Sequence, residues 1–393
     1  MSLIRVAAHV DVRYTTRQPT GVDKHIVRMV RSLAKRPGFE VSIVAPRSQL
    51  SGAGDLPAGS SLRGMPVHPL PLSNRTSRLV WAFSDRPPID RWCPGADWIY
   101  SPQELWAPAR HARTAVTIHG STYFEPTCPG YASPWARFER ARMGWFFSRV
   151  CRQADLVLPV SRYLERFLVR HFGLPPERSV VVGNGVDDCF FAAGEASAAS
   201  GTSRHEPDRI LVVGGLNEWD GAGHVLACAD VLRKRMPGLS IDIVGTLDER
   251  SAVSECDRRP NVRRLGFLPP EELALIMPRY VALLYLPNVE SFGMVALEAM
   301  AAGLPVLACR LTAVPETAGD AAWYVDQSRP ERVVDALATL SSDRGVRGEW
   351  VQRGREHAAR FTWAACVDRL SDALRQNRSA RYSGRQAPSE SRA

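Results

Sequence analysis

Strand-length apolar runs alternate with segments of helical period along most of the chain, and this alternation limits the fold more than any other feature. "IRVAAHV" (4–10) reads as a buried strand, and residues 22–36 place apolar side chains at 22, 26, 29, 30 and 33, one face of a helix. "EVSIVAP" (40–46), "DWIYSP" and "TAVTIHG" read as further strands. "FERARMGWFFSRVCRQAD" is a helix, "LVLPVS" a strand, "SRYLERFLVRHFG" a helix ending at Gly173, and "SVVVGNGVD" a strand with its turn. Residues 192–208, "AAGEASAASGTSRHEPD", are small and polar, the composition of a linker. The rhythm then restarts: "RILVVGGL", "LSIDIVG", "VRRLGFL", "YVALLYLP" and "LPVLAC" as strands, "GHVLACADVLRKR" and "PPEELALIMPR" as helices. Strands that are apolar throughout and separated by helices form parallel sheets covered on both faces. The expected fold class is α/β, with two Rossmann-like doubly wound domains over residues 1–191 and 209–345. Residues 377–393 have no periodicity and are expected to be disordered.

The length of 393 residues also calls for more than one domain. No apolar run approaches the roughly 18–20 residues that span a bilayer. The N-terminal "MSLIRVAAHVDVRYTTRQ" lacks a long apolar core and a small-residue cleavage site, so no signal peptide and a cytoplasmic location are expected. The eight cysteines are scattered without a CxxC pair, which argues against a zinc site and against a disulfide framework. The net charge of +9 is uneven: residues 1–150 hold 20 Lys and Arg against 10 Asp and Glu, residues 151–350 hold 21 against 27. A basic N-terminal half can steer a phosphorylated acceptor, an anionic membrane surface or a nucleic acid. It is equally the solvated surface of an arginine-rich chain, since lysine occurs only three times.

The stretch "NVESFGMVALEAMAAGLPV" (288–306) carries two carboxylates, Glu290 and Glu298, among small and apolar side chains. Burying either costs several kcal/mol unless it is paired or ligand-bound. If Ser291 caps a helix, the amides of Phe292, Gly293 and Met294 are its unpaired first-turn donors. Gly293 lets a ligand approach the backbone, and the amide cluster suits a phosphate or a sugar hydroxyl. Eight residues of helix separate the carboxylates by about 12 Å. That exceeds the roughly 5–9.5 Å of a glycosidase pair, so the two fit opposite ends of an elongated ligand.

The same residues carry a resemblance. "ESFGMVALEAMAAGLPVLA" is similar to the donor-site signature of the retaining GT-B glycosyltransferases, with E-x7-E followed by G-x-P-V. That large family includes bacterial mannosyl-, glucosyl- and N-acetylglucosaminyltransferases and relatives of sucrose synthase. "VLPVSRYLERFL…SVVVGNGVDDCF" resembles its S…NGVD…F segment, and "RILVVGGLNEWDG" the first strand and turn of its nucleotide-binding domain. "FTWAACVDRL" resembles its C-terminal helix, which implies that helices over 346–376 cross back to the N-terminal domain. The resemblance implies two domains facing across a cleft, an acceptor-binding one at 1–191 and a nucleotide-sugar-binding one at 209–345. It implies transfer of a hexose from a nucleotide diphosphate sugar to an acceptor hydroxyl with retention of configuration. Glu290 would hold the donor sugar, the amides at 292–294 the sugar and diphosphate, and Glu298 the ribose. Phe267 in "LGFL" would lie near the base, Gly21 in "PTGVDKH" near the diphosphate and acceptor, and His119 in "TIHGS" would face the transferred sugar.

One departure stands out. The family places an Arg and a Lys in the loop after the first strand of the second domain to clamp the diphosphate; here those positions are Gly215 and Asp220. Compensation by Arg13, Arg17, Lys24 or Arg310 is one reading, and donor contact through Asn217 or Trp219 another. No acidic motif points to a metal, so the expected cofactor is none and the expected partners are a nucleotide sugar and a glycan, lipid-linked or small-molecule acceptor. Contact with the inner face of an anionic membrane is compatible with this reading; a nucleic-acid partner is not expected. The alternative from another class is a catalytically silent protein of the same fold that binds nucleotide sugar or serves a glycan-assembly complex. A phosphorylase would need a pyridoxal lysine in the second domain, where Lys234 sits among arginines on a helix end.

Overall fold

The structure is a computed structural model and describes residues 3–16, 20–199, 208–214, 219–245 and 255–377. The expectations for Arg17, Gly215, Asn217 and the tail 378–393 fall outside those residues. Two compact units divide the chain. The first comprises Met1–His119, Glu139–Gly183 and Trp363–Ala393; the second comprises Gly120–Phe138 and Asn184–Thr362.

The first unit is built on six parallel strands: β1 Ile4–His9, β2 Phe39–Pro46, β3 Val67–Leu70, β4 Trp98–Ser101, β5 Arg113–Ile118 and β6 Leu156–Pro159. Their order is β3-β2-β1-β4-β5-β6. β1 pairs with β2 on one side and β4 on the other, so the winding reverses between β1 and β4. Reversal leaves a crevice at the carboxyl ends of those two strands, where such sheets bind ligands. The helix Gly21–Ala34 packs Ile26, Met29, Val30 and Leu33 inward, all fully buried. Thr20 and Asp23 close its N-terminus reciprocally, with the Thr20 amide 2.7 Å from Asp23 Oδ2. The helix Trp363–Gln376 also belongs to this unit: Asp368 pairs with Arg36 at 2.7 Å, and Arg369 donates to the Val182 carbonyl.

The second unit repeats the winding with β7 Arg209–Val213, β8 Ser240–Val244, β9 Val262–Gly266, β10 Leu283–Tyr285, β11 Val306–Ala308 and β12 Trp323–Tyr324. The order β12-β11-β10-β7-β8-β9 puts its switch point between β7 and β10. Ile210, Ile241, Ile243, Leu284 and Leu307 fill the core. Within it, Asp242 of β8 is fully buried and is bound by Arg209 at 3.0 Å, Arg263 at 2.7 Å and the Tyr280 hydroxyl at 2.9 Å. Burial pushes its pKa up, but these three donors outweigh burial and hold it below the usual range. Among the described residues no helix is long and apolar enough to cross a membrane.

Three expectations need correction. Residues 192–199 are not linker but the end of the helix Asp188–Ala199. Their small side chains serve a helix contact: a Cβ on Gly194 would lie 2.2 Å from the Ala301 carbonyl oxygen. "SVVVGNGVD" forms no strand of its own; its Val180 and Val182 amides bond along β6, and it makes two isolated bridges, Ser179 to Val157 of β6 and Val186 to Thr362. The unit boundaries also differ, since Gly120–Phe138 joins the second unit and the helices Arg344–Ala358 and Trp363–Gln376 fall in different units. β3 and the helix Asn74–Phe83 had no sequence expectation.

Candidate functional site

At the switch point of the second unit, β10 ends in Tyr285 and the chain continues through Glu290 to the helix Met294–Ala301. The half-buried Glu290 carboxylate is held from three sides. Its Oε1 accepts from the amides of Ser291 at 2.8 Å and Phe292 at 3.0 Å, and its Oε2 accepts from the Tyr285 hydroxyl. A carboxylate offers about four lone-pair sites, so roughly one remains, on Oε2. Burial, then the neighbouring Glu290, drive the Tyr285 phenol well above its usual pKa, so it stays protonated and donates.

The backbone of Glu290 is fixed as well. Its amide donates to Thr312 Oγ1 at 3.0 Å, and its carbonyl accepts from the Ala313 amide at 3.2 Å. Thr312 has φ +49°, the only positive φ of a non-glycine residue among the described residues. A β-branched residue in that region is strained, and here the strain sits on the residue that anchors the carboxylate loop.

These contacts revise the expected cap. Ser291 does not cap the helix; Gly293 does, at φ +101°, a conformation that L side chains adopt only with strain. The Phe292 amide is committed to Glu290 instead of facing a ligand. What remains is the first turn of the helix from Met294, whose amides have no acceptor within the helix. Glu298 lies in the same helix and is 3% exposed, a buried carboxylate rather than a surface one. Phe267 follows the end of β9, two strands beyond β7, so it shares the carboxyl side of the sheet without joining the Glu290 cluster.

The loop after β7 enters the same switch point. Gly221 has φ +77°, and a Cβ there would come within 1.9 Å of the Leu286 carbonyl oxygen, so only glycine lets this loop meet the end of β10. Asn288 binds back to it: its amide donates to the Trp219 carbonyl at 2.9 Å, and its Oδ1 is 3.2 Å from His224 Nε2. Asp220 is half-buried in this loop, near Gly214, and its charge adds to the upward push on Tyr285. Arg310, on the loop after β11, is exposed and stacks over the Tyr324 ring at 4.0 Å. It has no carboxylate partner among the described residues. Arg13, by contrast, is committed to the buried Asp11 at 2.6 and 3.0 Å.

In the first unit, His119 follows the end of β5. Its amide donates to Glu104, and its Nε2 lies 2.9 Å from the Pro102 carbonyl oxygen. A carbonyl only accepts, so Nε2 carries a proton in this contact. His25 packs edge-on to His119, with ring centroids 4.7 Å apart. Gly21 is the first residue of the helix that carries His25, not a loop residue. Lys24 lies in the same first turn. Sequence reasoning missed Tyr285 and Thr312. The first read only as a strand residue, and no local signal marks a threonine that will adopt a positive φ.

Residues 19–189 match the profile described as Glycosyltransferase Family 4, and residues 195–357 the profile described as Glycosyl transferases group 1. A D-inositol 3-phosphate glycosyltransferase of Corynebacterium efficiens is 31% identical over 259 residues, 60% of this chain and 61% of that one. The match thus spans about three fifths of the length of the first curated relatives. An O-antigen chain mannosyltransferase B of Escherichia coli is 25% identical over 313 residues, covering 76% of this chain and 77% of the relative. Sucrose-phosphate synthase from Thermosynechococcus elongatus has the same fold, with a TM-score of 0.71 at 18% identity over 95% of this chain and 98% of that one. With one profile over each half and the sheets wound alike, the chain belongs to the family 4 glycosyltransferases, of GT-B fold.

Proposed function

We propose that the protein transfers a hexose from a nucleotide diphosphate sugar to an acceptor hydroxyl, with retention of configuration. The observation that carries this reading is the immobilised Glu290 carboxylate at the second switch point, with one acceptor position left for a sugar hydroxyl. In this reading the first-turn amides from Met294 and the Arg310 guanidinium stabilise the leaving diphosphate, a task that needs fixed dipoles and cations rather than a metal. Glu298 and Phe267 meet the nucleoside, and His119 and Gly21 serve the transferred sugar and the acceptor. The leaving diphosphate takes the acceptor proton as the hydroxyl attacks the same face of the sugar. Relatives named for an inositol phosphate and for an O-antigen chain support a cyclitol or glycan acceptor.

Asp220, where the family carries a lysine, favours a second reading: a protein that binds nucleotide sugar without turning it over. A panel of nucleotide sugars, assayed for hydrolysis and transfer, separates the two. Turnover of at least one donor is expected, with the product anomer matching the donor by NMR and Glu290→Ala slower by about a hundredfold or more. Binding without turnover in wild type, with turnover gained in Asp220→Lys, would establish the second reading instead.

A further inference from the structure

Glu290 is fixed by two segments that reach it from elsewhere in the second unit, and one side chain underlies both. The first segment is Thr312 with Ala313. Thr312 Oγ1 accepts from the Glu290 amide at 3.0 Å, and the Ala313 amide donates to the Glu290 carbonyl at 3.2 Å. Ala313 opens directly into the short helix Val314–Ala318, so displacement of that helix moves both anchors. A helix of five residues is too short to be stable by itself, so its place is set by what packs on it. His357, next to last in the helix Arg344–Ala358, does so. Its Nε2 lies 2.7 Å from the carbonyl oxygen of Thr317, a residue only 2% exposed. A carbonyl only accepts, so Nε2 donates.

The turn after the short helix is shaped to the same ring. Gly319 has φ +53° and ψ −146°, and a Cβ there would stand 2.8 Å from His357 Cε1, so only glycine lets the turn lie against the imidazole. The Tyr324 hydroxyl fastens this turn as well, donating to the Gly319 carbonyl at 2.8 Å. The second segment is Phe292, whose amide donates to Glu290 Oε1 at 3.0 Å. Its buried ring meets Phe361 edge-on at 6.3 Å, and Phe361 lies against His357 at 5.2 Å. His357 therefore touches both routes to the carboxylate, by a hydrogen bond through Thr317 and by ring contact through Phe361. Leucine would serve the packing alone and glutamine the bond alone; histidine supplies a ring face and a donor together. We propose that His357 is a positioning residue for Glu290, fixing the short helix and Phe361 and, through them, the loop that aims the carboxylate. What Glu290 binds rests on the transferase reading; its placement does not.

Hydrogen exchange on the full chain without ligand reads the placement directly. His357→Leu leaves the Thr317 carbonyl without its donor, so peptides over 288–296 and 312–320 should exchange about tenfold faster. The helix Ala222–Arg235 of the same unit should exchange as in wild type. His357→Gln, whose amide N–H reaches about as far as Nε2, should restore slow exchange. Calorimetry with a panel of nucleotide sugars then asks whether the two residues act as one. His357→Leu should weaken the bound donor about tenfold in the wild-type background and add nothing to Glu290→Ala. Faster exchange over 312–320 alone would show that His357 holds the short helix but not Glu290, and would overturn the proposal. Faster exchange throughout the unit, or additive losses in the double variant, would overturn it too, since both describe a purely structural role. If His357→Leu fails to fold, His357→Asn, too short to reach the carbonyl, takes the same readings. A wild type that binds no nucleotide sugar would remove the transferase reading and leave the exchange comparison to decide this one.

Discussion

Glu290 is defined by what holds it. Two neighbouring amides, a phenol kept protonated by burial and a threonine held at positive φ leave its carboxylate little freedom. Rigid placement is what a group must have if it is to bind a sugar hydroxyl without reorganising. The importance of Glu290 was legible in the sequence because a carboxylate stood in an apolar stretch. Its clamp was not, since Tyr285 and Thr312 approach it from 5 and 22 residues away through the ends of two other elements. His9 carries a prediction at this scale. Its folded pKa of about 4 lies below the unfolded 6.5, so the unfolded chain takes up the proton first. Stability is then full above about pH 6.5 and falls as the pH drops toward 4, by up to about 3 kcal/mol. The melting temperature should fall more between neutral pH and about pH 4.5 in wild type than in His9→Phe. Equal falls would show that His9 is not held neutral, although Arg78 and Asp11 both bear on it.

Most strands could be read from their apolar runs because a parallel sheet covered on both faces leaves no alternation to blur them. β3 was missed because it is four residues long with half-exposed Val67 and His68. The helix ending at Ala199 was missed because alanine, glycine and serine suit a linker and a close helix contact equally well, and only the Ala301 carbonyl beside Gly194 distinguishes them. β7, β8 and β9 are tied by a feature that the sequence did not reveal, the Arg209–Asp242–Arg263 bridge across three adjacent strands. Removing the buried partner strands two arginines. Asp242→Ala should therefore cost about 3 kcal/mol or more in urea unfolding. A loss under roughly 1 kcal/mol would mean that the pair breaks even with solvent.

The molecule repeats one winding twice, and each copy concentrates polar chemistry at its own switch point. In the first unit the groups are neutral and unpartnered, at His9 and Gln103. In the second they are a fixed carboxylate, helix amides and the exposed Arg310. The doubled pattern was visible in the sequence as one rhythm that stops and restarts. How the chain divides between the units was not, because segments such as Gly120–Phe138 and Trp363–Gln376 are assigned by packing rather than by order along the chain. Calorimetric titration of the full chain with a panel of nucleotide sugars tests the central claim most directly, comparing wild type with Glu290→Ala and Arg310→Ala. Each substitution is expected to weaken binding by about tenfold or more, the worth of a charge-assisted hydrogen bond. Undiminished affinity in Glu290→Ala would contradict the assignment of the second switch point as the donor site.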